Sequence, residues 1–470
     1  MVTRAAGARK ARQKKEAVCN RVDQSCRCID AGAFGCGVQP DFVKVDFDLP
    51  RYPVLLSFKS VKVLVIGGGG REHALVWRLK QSPSVSRVFA APGNPGIAKI
   101  AQCILSTDYL RIAEEFDIDL TVVGPEAPLV AGVVDAFRAA GRKIIGPTQV
   151  NAQLEGSKVF AKNFFAKYNI PTAAFHTVTT REDGLRALDS FTYPVVVKAD
   201  GLAAGKGVTI AYNRAEASAA VDALGPYLVI EEFMEGEEVS FIVLSDGRNV
   251  LPFAPCQDHK TVFDGDTGPN TGGMGAYSDS RILTAPQQDA ILNRIIQPTI
   301  DATGFTGFLF AGLMMTAEGP KLLEFNVRLG DPETQPLMHR MVADFDQVLL
   351  ASVEGRLDGM SFDWRPDPSV CVVLASGGYP AAFQSGQPIL GIGEAEATGA
   401  TVFQAGTRTG LTGPETAGGR VLGVTARGSG LPQAIENAYL AVDKISFEGM
   451  HYRRDIGRKG LRRYNGNTGT

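Results

Sequence analysis

Glu324 and Asn326 stand two residues apart in the run Leu322-Leu323-Glu324-Phe325-Asn326-Val327-Arg328-Leu329-Gly330-Asp331. On a strand, residues i and i+2 leave from the same face, so a carboxylate and a carboxamide oxygen are offered side by side, with Arg328 following if the strand persists. A hard cation such as Mg²⁺ takes one or two protein oxygens and completes its octahedron with phosphate oxygens and water. The pattern predicts a cation site that works with a phosphorylated compound. The plain alternative is a polar strand end facing solvent.

Three glycine-rich stretches carry related chemistry. Gly67-Gly68-Gly69-Gly70-Arg71-Glu72-His73 leads from a strand to a helix N-terminus, where free backbone N–H groups and the helix dipole favour an anion. The dinucleotide fingerprint fails there, because its third glycine falls on Glu72; a phosphate assisted by Arg71 is the expectation. Gly201-Leu202-Ala203-Ala204-Gly205-Lys206-Gly207 is one residue short of a Walker A loop and has Gly207 where Ser or Thr would hold Mg²⁺. Following Lys198, it reads as a flexible phosphate-covering loop between two antiparallel strands, a plain hairpin being the alternative. Pro255 to Ala276, with Asp258-His259-Lys260 and Asp266 to Ala276, reads as one long glycine-rich loop of the functional kind.

The elements that must position these residues alternate from Val61 onward. Strand Val61–Ile66, a helix from Glu72 to Gln81, a strand ending at Ala90–Ala91, strand Leu120–Val123, a helix from about Leu129 to Ala140 and strand Lys143–Ile145 give βαβ punctuation and a doubly wound parallel sheet. Its Gly/Pro-rich loops follow strand C-termini, where open α/β sheets bind ligands. After Gly156 a helix (Lys158–Tyr168) precedes strands 195–199, 208–211, 228–233, 239–244 and 250–254. A helix from about Gln335 to Val353 follows the Glu324 strand. The last hundred residues read as a separate strand-rich piece closed by a helix near Pro432–Asp443. The expected fold is α/β and α+β multidomain, divided into residues 61–155, 156–365 and 366–460, with an extension 1–60 and a tail 461–470.

Composition narrows the function classes. No apolar run reaches the ~18 residues of a membrane span, and the net charge is −2. Residues 1–60 hold 11 Lys and Arg against 6 Asp and Glu, so the body is acidic and carries no nucleic-acid footprint. Cys19, Cys26, Cys28 and Cys36 lack the paired knuckles of a zinc site. A targeting peptide is weakened by the absence of serine from the basic run at the start. Residues 1–60 are therefore expected to be a disordered or mis-started extension. The scattered Cys103, Cys256 and Cys371 point to a reducing compartment, and a cytoplasmic location is expected.

In order, Glu155-Gly156-Ser157-Lys158, Val197-Lys198, the Gly201–Gly207 loop, Ile230-Glu231-Glu232-Phe233 and Glu324-Phe325-Asn326 resemble the ATP-grasp superfamily. Within it, the Arg71-Glu72-His73, Pro92-Gly93-Asn94, Gly124-Pro125-Glu126, Asp264 to Ala276 and Gly330-Asp331-Pro332-Glu333 motifs resemble the phosphoribosylamine–glycine ligases, from about residue 61 to 460. The resemblance implies an ATP-dependent ligase that joins glycine to 5-phosphoribosylamine through glycyl phosphate in purine biosynthesis, with central ATP-grasp domains and a monomeric or homodimeric state. Lys158, Lys198 and the loop with Gly201, Gly205, Lys206 and Gly207 would then hold the ATP phosphates and adenine surroundings. Glu231 and Phe233 would hold adenine, Glu238 the ribose, and Glu324 and Asn326 the metal, Mg²⁺ or Mn²⁺. Arg328, Asp331 and Lys206 would serve catalysis. Gly69, Gly70, Arg71, His73, Asn94, Pro125, Glu126, Asp258, Asn270 and Gly273 would contact the substrates.

The chain departs from the family pattern in four places. The segment before Leu228 is short, Thr261 replaces a basic residue after Asp-His-Lys, and Val327 and Leu329 replace Cys and Phe. Phe308–Met315 supplies no third metal carboxylate. The nearest rival is an ATP-grasp ligase for another carboxylate and amine, which the N-terminal and Asp266–Ala276 motifs disfavour. A regulatory module with an inactive ligase body is the rival of a different class, and the intact Lys158, Lys198, Glu324 and Asn326 argue against it.

Overall fold

Val61–Ile66 is almost wholly β-branched or Leu, and a strand of that composition is stable only with both faces covered. In the computed structural model, which describes residues 60–202, 207–342 and 344–464, it is the central strand of a parallel sheet. The strands are β1 (Val61–Gly67), β2 (Val85–Pro92), β3 (Gln102–Cys103), β4 (Leu120–Val123) and β5 (Ile144–Ile145), in the order β3-β2-β1-β4-β5. The chain winds outward through β2 and β3, then returns to β4 on the other side of β1. That reversal opens a crevice between the β1 and β4 loops, the place where such sheets bind ligands. The expectations placed on Gly205, Lys206, the four N-terminal cysteines, the extension before Ser60 and the tail beyond Tyr464 lie outside the described residues.

The expected helix Leu129–Ala140 is two helices, Glu126–Val130 and Val133–Ala139, parted by Gly132 at φ +88°. Next, β6 (Phe175–Val178), β7 (Val195–Ala199), β8 (Val208–Ala211) and β9 (Leu228–Glu232) form a small antiparallel sheet ordered β6-β9-β7-β8. The glycine loop 201–207 joins β7 to β8, which pair antiparallel, Val195 opposite Ala211.

The remaining strands are β10 (Glu237–Asp246), β11 (Val250–Pro252), β12 (Cys256–Asp258), β13 (Thr261–Phe263), β14 (Thr267–Asn270), β15 (Gly275–Ser278), β16 (Thr306–Thr316), β17 (Gly319–Asn326), β18 (Ser369–Ala375), β19 (Thr401–Gln404), β20 (Thr407–Thr409), β21 (Pro414–Thr416) and β22 (Arg420–Arg427). A nine-stranded sheet runs β17-β16-β10-β12-β15-β18-β22-β19, with β11 beside β10. The strands of the C-terminal piece thus continue the sheet that carries β17, through the pairing of β15 with β18. Residues 255–276 are not one long loop: they hold β12, the β13–β14 hairpin and the start of β15. The expected helix 335–353 is also split, into Thr334–Arg340 and Phe345–Val353. No helix among the described residues is long and apolar enough to cross a membrane.

Candidate active site

A bulge sets the chemistry of β17. Gly312 on β16 faces Glu324, while the next residue, Leu313, faces Leu322, so Leu323 is the extra residue of the ladder. Strict alternation would put Leu322, Glu324 and Asn326 on one face. With the bulge, Leu322 and Phe325 are buried, and Phe325 meets Phe165 edge to face at 5.5 Å. Glu324 and Asn326 are left partly exposed, on the side away from that core.

Arg328 ties this strand end to the N-terminal sheet. Its Nη2 donates to Asn326 Oδ1 (3.0 Å) and pairs with Glu155 Oε1 (2.9 Å), its Nη1 donates to the Leu329 carbonyl (3.3 Å), and its Nε lies 3.4 Å from Glu126 Oε2. Glu155 also accepts the Val327 N–H (2.8 Å). Burial raises the Glu155 carboxyl despite the Arg328 charge. At Glu126 the Arg328 and Arg71 charges outweigh burial and hold the carboxyl below its ordinary value.

A lysine-rich wall faces Glu324. Lys158 Nζ donates to the Gly201 carbonyl (2.8 Å); burial and the Lys198 charge lower its pKa, while Glu324 raises it. Glu231 is buried between Lys198 and Lys162. Those two ammonium groups overcome burial and keep it ionised, and Lys162 also donates to Thr172 Oγ1 (2.7 Å). Phe233, just past β9, is partly exposed. Glu238 on β10 pairs with Lys260 (2.8 Å), and Glu238, Asp258 and Glu324 outweigh burial to hold Lys260 well above the usual lysine value.

Asp331 lies within reach of the Arg420, Arg71 and Arg328 charges. Arg420 from β22 donates to Asp331 Oδ2 (3.1 Å) and to the Asp331 and Gly272 carbonyls, and Gln335 Nε2 donates to Asp331 Oδ1 (2.8 Å). Burial works against the charge on Asp331, but Arg420 and Arg71 prevail and its pKa is lowered. Gly273 stands at φ +109° with no room for a Cβ, which would lie 2.5 Å from Pro332. Asp258 and Glu333 are both buried, and burial raises both carboxyls, Glu333 to about 7 with the Asp258 charge adding to the effect. Asn270 ends β14 and is partly buried.

The loops after β1, β2 and β4 are arranged differently. Glu72 folds back under the β1 turn, where its Oε2 accepts the Gly69 N–H (2.6 Å), and a Cβ on Gly67 or Gly124 would collide with its side chain. Arg71 is buried and donates to Glu72 Oε1 (2.6 Å) and the Leu329 carbonyl (3.1 Å). Burial lowers its pKa, but Glu72 and Asp331 outweigh that and hold it above the ordinary value. His73 Nδ1 accepts the Gln404 N–H (2.8 Å), and burial pushes the imidazole down to about 4. Asn94 caps the short helix after it and donates to the Gly68 and Gln404 carbonyls (2.8 and 2.7 Å). Gly70 sits against Gln335 and Gly69 beside Asp331, while Pro125 precedes the helix that carries Glu126.

The donor set suits a hard divalent cation. Glu324 and Asn326 offer oxygen only, and no group of three or more His, Cys, Asp or Glu able to hold a metal occurs among the described residues. Two protein donors leave most of an octahedron to phosphates and water, as for Mg²⁺ beside a nucleotide.

Family models match three successive stretches: phosphoribosylglycinamide synthetase N domain over residues 61–155, its ATP-grasp (A) domain over 156–334 and its C domain over 369–459. The chain belongs to the phosphoribosylglycinamide synthetase family. It is an ATP-dependent ligase. The phosphoribosylamine–glycine ligase of Yersinia pestis is 49% identical over 86% of this chain and 100% of its own length. The crystal structure of the Thermotoga maritima phosphoribosylamine–glycine ligase, 32% identical, has a TM-score of 0.73 and covers 84% of this chain and 100% of that one. The biotin carboxylase domain of the Hydrogenobacter thermophilus 2-oxoglutarate carboxylase shares the fold at 17% identity, TM-score 0.65, with 83% of this chain and 91% of that one covered.

Within this phosphoribosylglycinamide synthetase fold, Arg328 meets Asn326 and Glu126, Lys158 meets Gly201, Glu324 acts by charge on Lys158, and Asp331 interacts by charge with Arg328. Four charged partners, Glu155, Lys162, Glu333 and Arg420, were not singled out as site residues from the sequence. Glu155 and Glu333 lay inside recognised motifs and were the legible ones. Lys162 sits one turn after Lys158 on the same helix face, and Arg420 has no local signal, since it reaches Asp331 from a strand far along the chain.

Proposed function

We propose that the chain joins glycine to 5-phosphoribosylamine at the expense of ATP, giving glycinamide ribonucleotide, ADP and phosphate. The observation that carries this reading is Arg328, which bridges Asn326 on the cation-site strand to Glu126 on the switch-point loop of the parallel sheet. On this reading, nucleotide and ribosyl phosphate bind on the two sides of one guanidinium.

A glycine carboxylate oxygen attacks the γ-phosphorus of ATP, and ADP leaves. The phosphoribosylamine nitrogen then attacks the glycyl phosphate carbonyl, phosphate departs with the bonding pair, and the nitrogen loses a proton. The first step brings anions together, so fixed cations aimed at the developing charge lower its barrier. Lys158, Lys198 and the glycine loop 201–207, including Gly205, Lys206 and Gly207, take the phosphates, and closure of that loop keeps water from the mixed anhydride. Glu231 and Phe233 line the adenine side and Glu238 the ribose side. Arg328 and Asp331 orient glycine and the transferring phosphoryl group, and the loops at Gly67, Pro92 and Gly124 hold phosphoribosylamine. Glu324 and Asn326 would hold a divalent cation, Mg²⁺ or Mn²⁺, which neutralises phosphate charge when bound. We assign residues 61–155 to substrate binding, 156–365 to the ATP-grasp part and 366–460 to the C-terminal part, of a cytoplasmic monomer or homodimer.

The test is ADP release with ATP and Mg²⁺. Release that requires glycine and phosphoribosylamine together supports the reading. Turnover with another amino acid and none with glycine overturns it.

A further inference from the structure

The β13–β14 hairpin belongs to neither large sheet. It is a two-stranded ribbon of seven paired-strand residues whose second strand is largely exposed, and such a ribbon has little stability of its own. Its turn is also demanding: Gly265 and Asp266 lie at φ +71° and +55°, the left-handed region that a residue with a Cβ adopts at a cost. Yet this hairpin connects Asp258 to the Asn270–Gly273 corner, which packs on Pro332 and receives Arg420. Something else must fix it.

The segment His451–Lys459 does so at successive points. His451 Nε2 meets the Val262 carbonyl (2.8 Å), the Arg454 N–H donates to Asp264 Oδ1 (2.7 Å), Gly457 N–H to His259 Nε2 (3.3 Å), and Lys459 Nζ to the Asp258 carbonyl (2.8 Å). Arg453 is the centre. Its side chain is 1% exposed, and its Nη1 donates to Thr261 Oγ1 (2.9 Å), the Thr261 carbonyl (3.2 Å) and Asp266 Oδ1 (2.9 Å). Nε and Nη2 form a fork on Asp455 (2.8 and 2.7 Å), whose Oδ2 also accepts the Gly265 N–H (2.9 Å). A buried guanidinium with all its bonds directed to one hairpin and its own neighbour fixes shape far more tightly than a surface pair does.

We propose that Arg453, with Asp455 and Asp266, is a positioning residue for the acceptor side of the reaction: through the hairpin it sets the Asp258–Gly273 loop against Asp331 and Arg420, where glycine and phosphoribosylamine react. The inference rests on the proposed function, and the clamp bears first on the acceptor loop, which reaches the nucleotide side through the Lys260–Glu238 pair. Small displacements of a positioning element cost rate without changing distant binding.

The experiment compares the full-length parent with Arg453→Lys, which keeps the charge but loses the fork, and with Asp266→Asn, which tolerates the left-handed backbone, keeps an acceptor oxygen and removes only the charge of a half-exposed partner. In the presence of Mg²⁺, kcat/KM for glycine and for phosphoribosylamine is expected to fall about tenfold or more in Arg453→Lys and in the same direction, less, in Asp266→Asn. The Kd for ATP alone should change much less than kcat/KM in both, since only the Lys260–Glu238 pair joins the loop to the nucleotide side, and amide exchange over residues 261–273 should quicken. Unchanged kcat/KM in both folded variants, or an equal loss of ATP affinity, overturns the clamp. Failure of the parent to turn over glycine with phosphoribosylamine overturns the proposed function instead, so the two failures are told apart.

Discussion

The turns after β1, β2 and β4 and the end of β17 both place polar side chains among glycines, but their hydrogen bonds run in opposite directions. At the turns, Glu72, Arg71, His73 and Asn94 bind backbone: the Gly69 N–H, the Leu329 carbonyl, the Gln404 N–H and the Gly68 and Gln404 carbonyls. At β17, Glu324 and Asn326 stand clear of the core, Glu324 faces the charge of Lys158 and Lys260, and Arg328 links Asn326 to carboxylates of other elements. A buried side chain whose donors and acceptors are already matched shapes a loop, whereas a partly exposed oxygen surrounded by opposite charge has capacity left for a ligand. The same residue types are bonded to backbone in one region and keep capacity for a ligand in the other.

The largest expected effect breaks the β17 side. Glu324→Gln, or Asn326→Leu, should lower kcat about 10²-fold or more, as loss of one preorganised electrostatic partner does. Neither side chain is in the core, so the thermal midpoint should stay close to that of the parent. ADP release at several Mg²⁺ concentrations checks the first point and a calorimetric scan the second. Near-parental turnover at limiting Mg²⁺ refutes the cation assignment.

Arg328 sits where the two regions join. Arg328→Met leaves Glu155 a buried carboxylate without its cation, a loss of about 3 kcal/mol by the usual cost of breaking a buried pair. Adding Glu155→Gln to that variant should restore much of the stability but not the rate. Urea unfolding of the single and double variants measures the first and ADP release the second. A double variant no more stable than the single one means that Glu155 was not the group stranded.

What was legible follows the same division. Alternation and β-branched runs identified β1, β4, β7, β8 and β9, and the i, i+2 pair Glu324 and Asn326 was legible from type and spacing. The strands within 255–276 escaped because they are short and glycine-rich and their partners are remote in sequence, as Gly275 opposite Val372 illustrates. The bulge at Leu323 leaves no composition signal, although it decides which way Glu324 points. His73 and Asn94 are polar residues in glycine turns and read as substrate contacts, and only the far strand carrying Gln404 reveals where their bonds go. Arg420 and Arg453 share that difficulty, because their partners are assembled by the fold alone.

A smaller effect sharpens the turn side. Burial holds His73 at about 4 in the folded protein, below the ordinary value of 6.5. Between those two values the unfolded chain binds a proton that the folded protein does not, so stability is full above pH 6.5 and is lost as pH falls towards 4, on the order of 3 kcal/mol in all. His339, lowered by burial to about 3, adds to the loss in the same direction. His73→Gln keeps an acceptor for the Gln404 N–H but cannot titrate, so it should flatten the slope of unfolding free energy between pH 7 and 5 and leave kcat near the parent. Urea midpoints at the two pH values test the slope. A large fall in kcat/KM for phosphoribosylamine instead makes His73 a substrate contact.

The smallest effect is expected from deleting residues 1–59. The family match begins at residue 61, and β1 begins there too, pairing with β2 and β4. The Val61 N–H donates to the Ser84 carbonyl (2.8 Å) and the Val61 carbonyl accepts the Ser86 hydroxyl (3.2 Å), both at the start of β2. The expectation is that kcat and the thermal midpoint match those of the full chain. If truncation lowers either one substantially, the extension supports the parallel sheet or its loops, and zinc analysis of the full-length protein then decides whether Cys19, Cys26, Cys28 and Cys36 act through a metal.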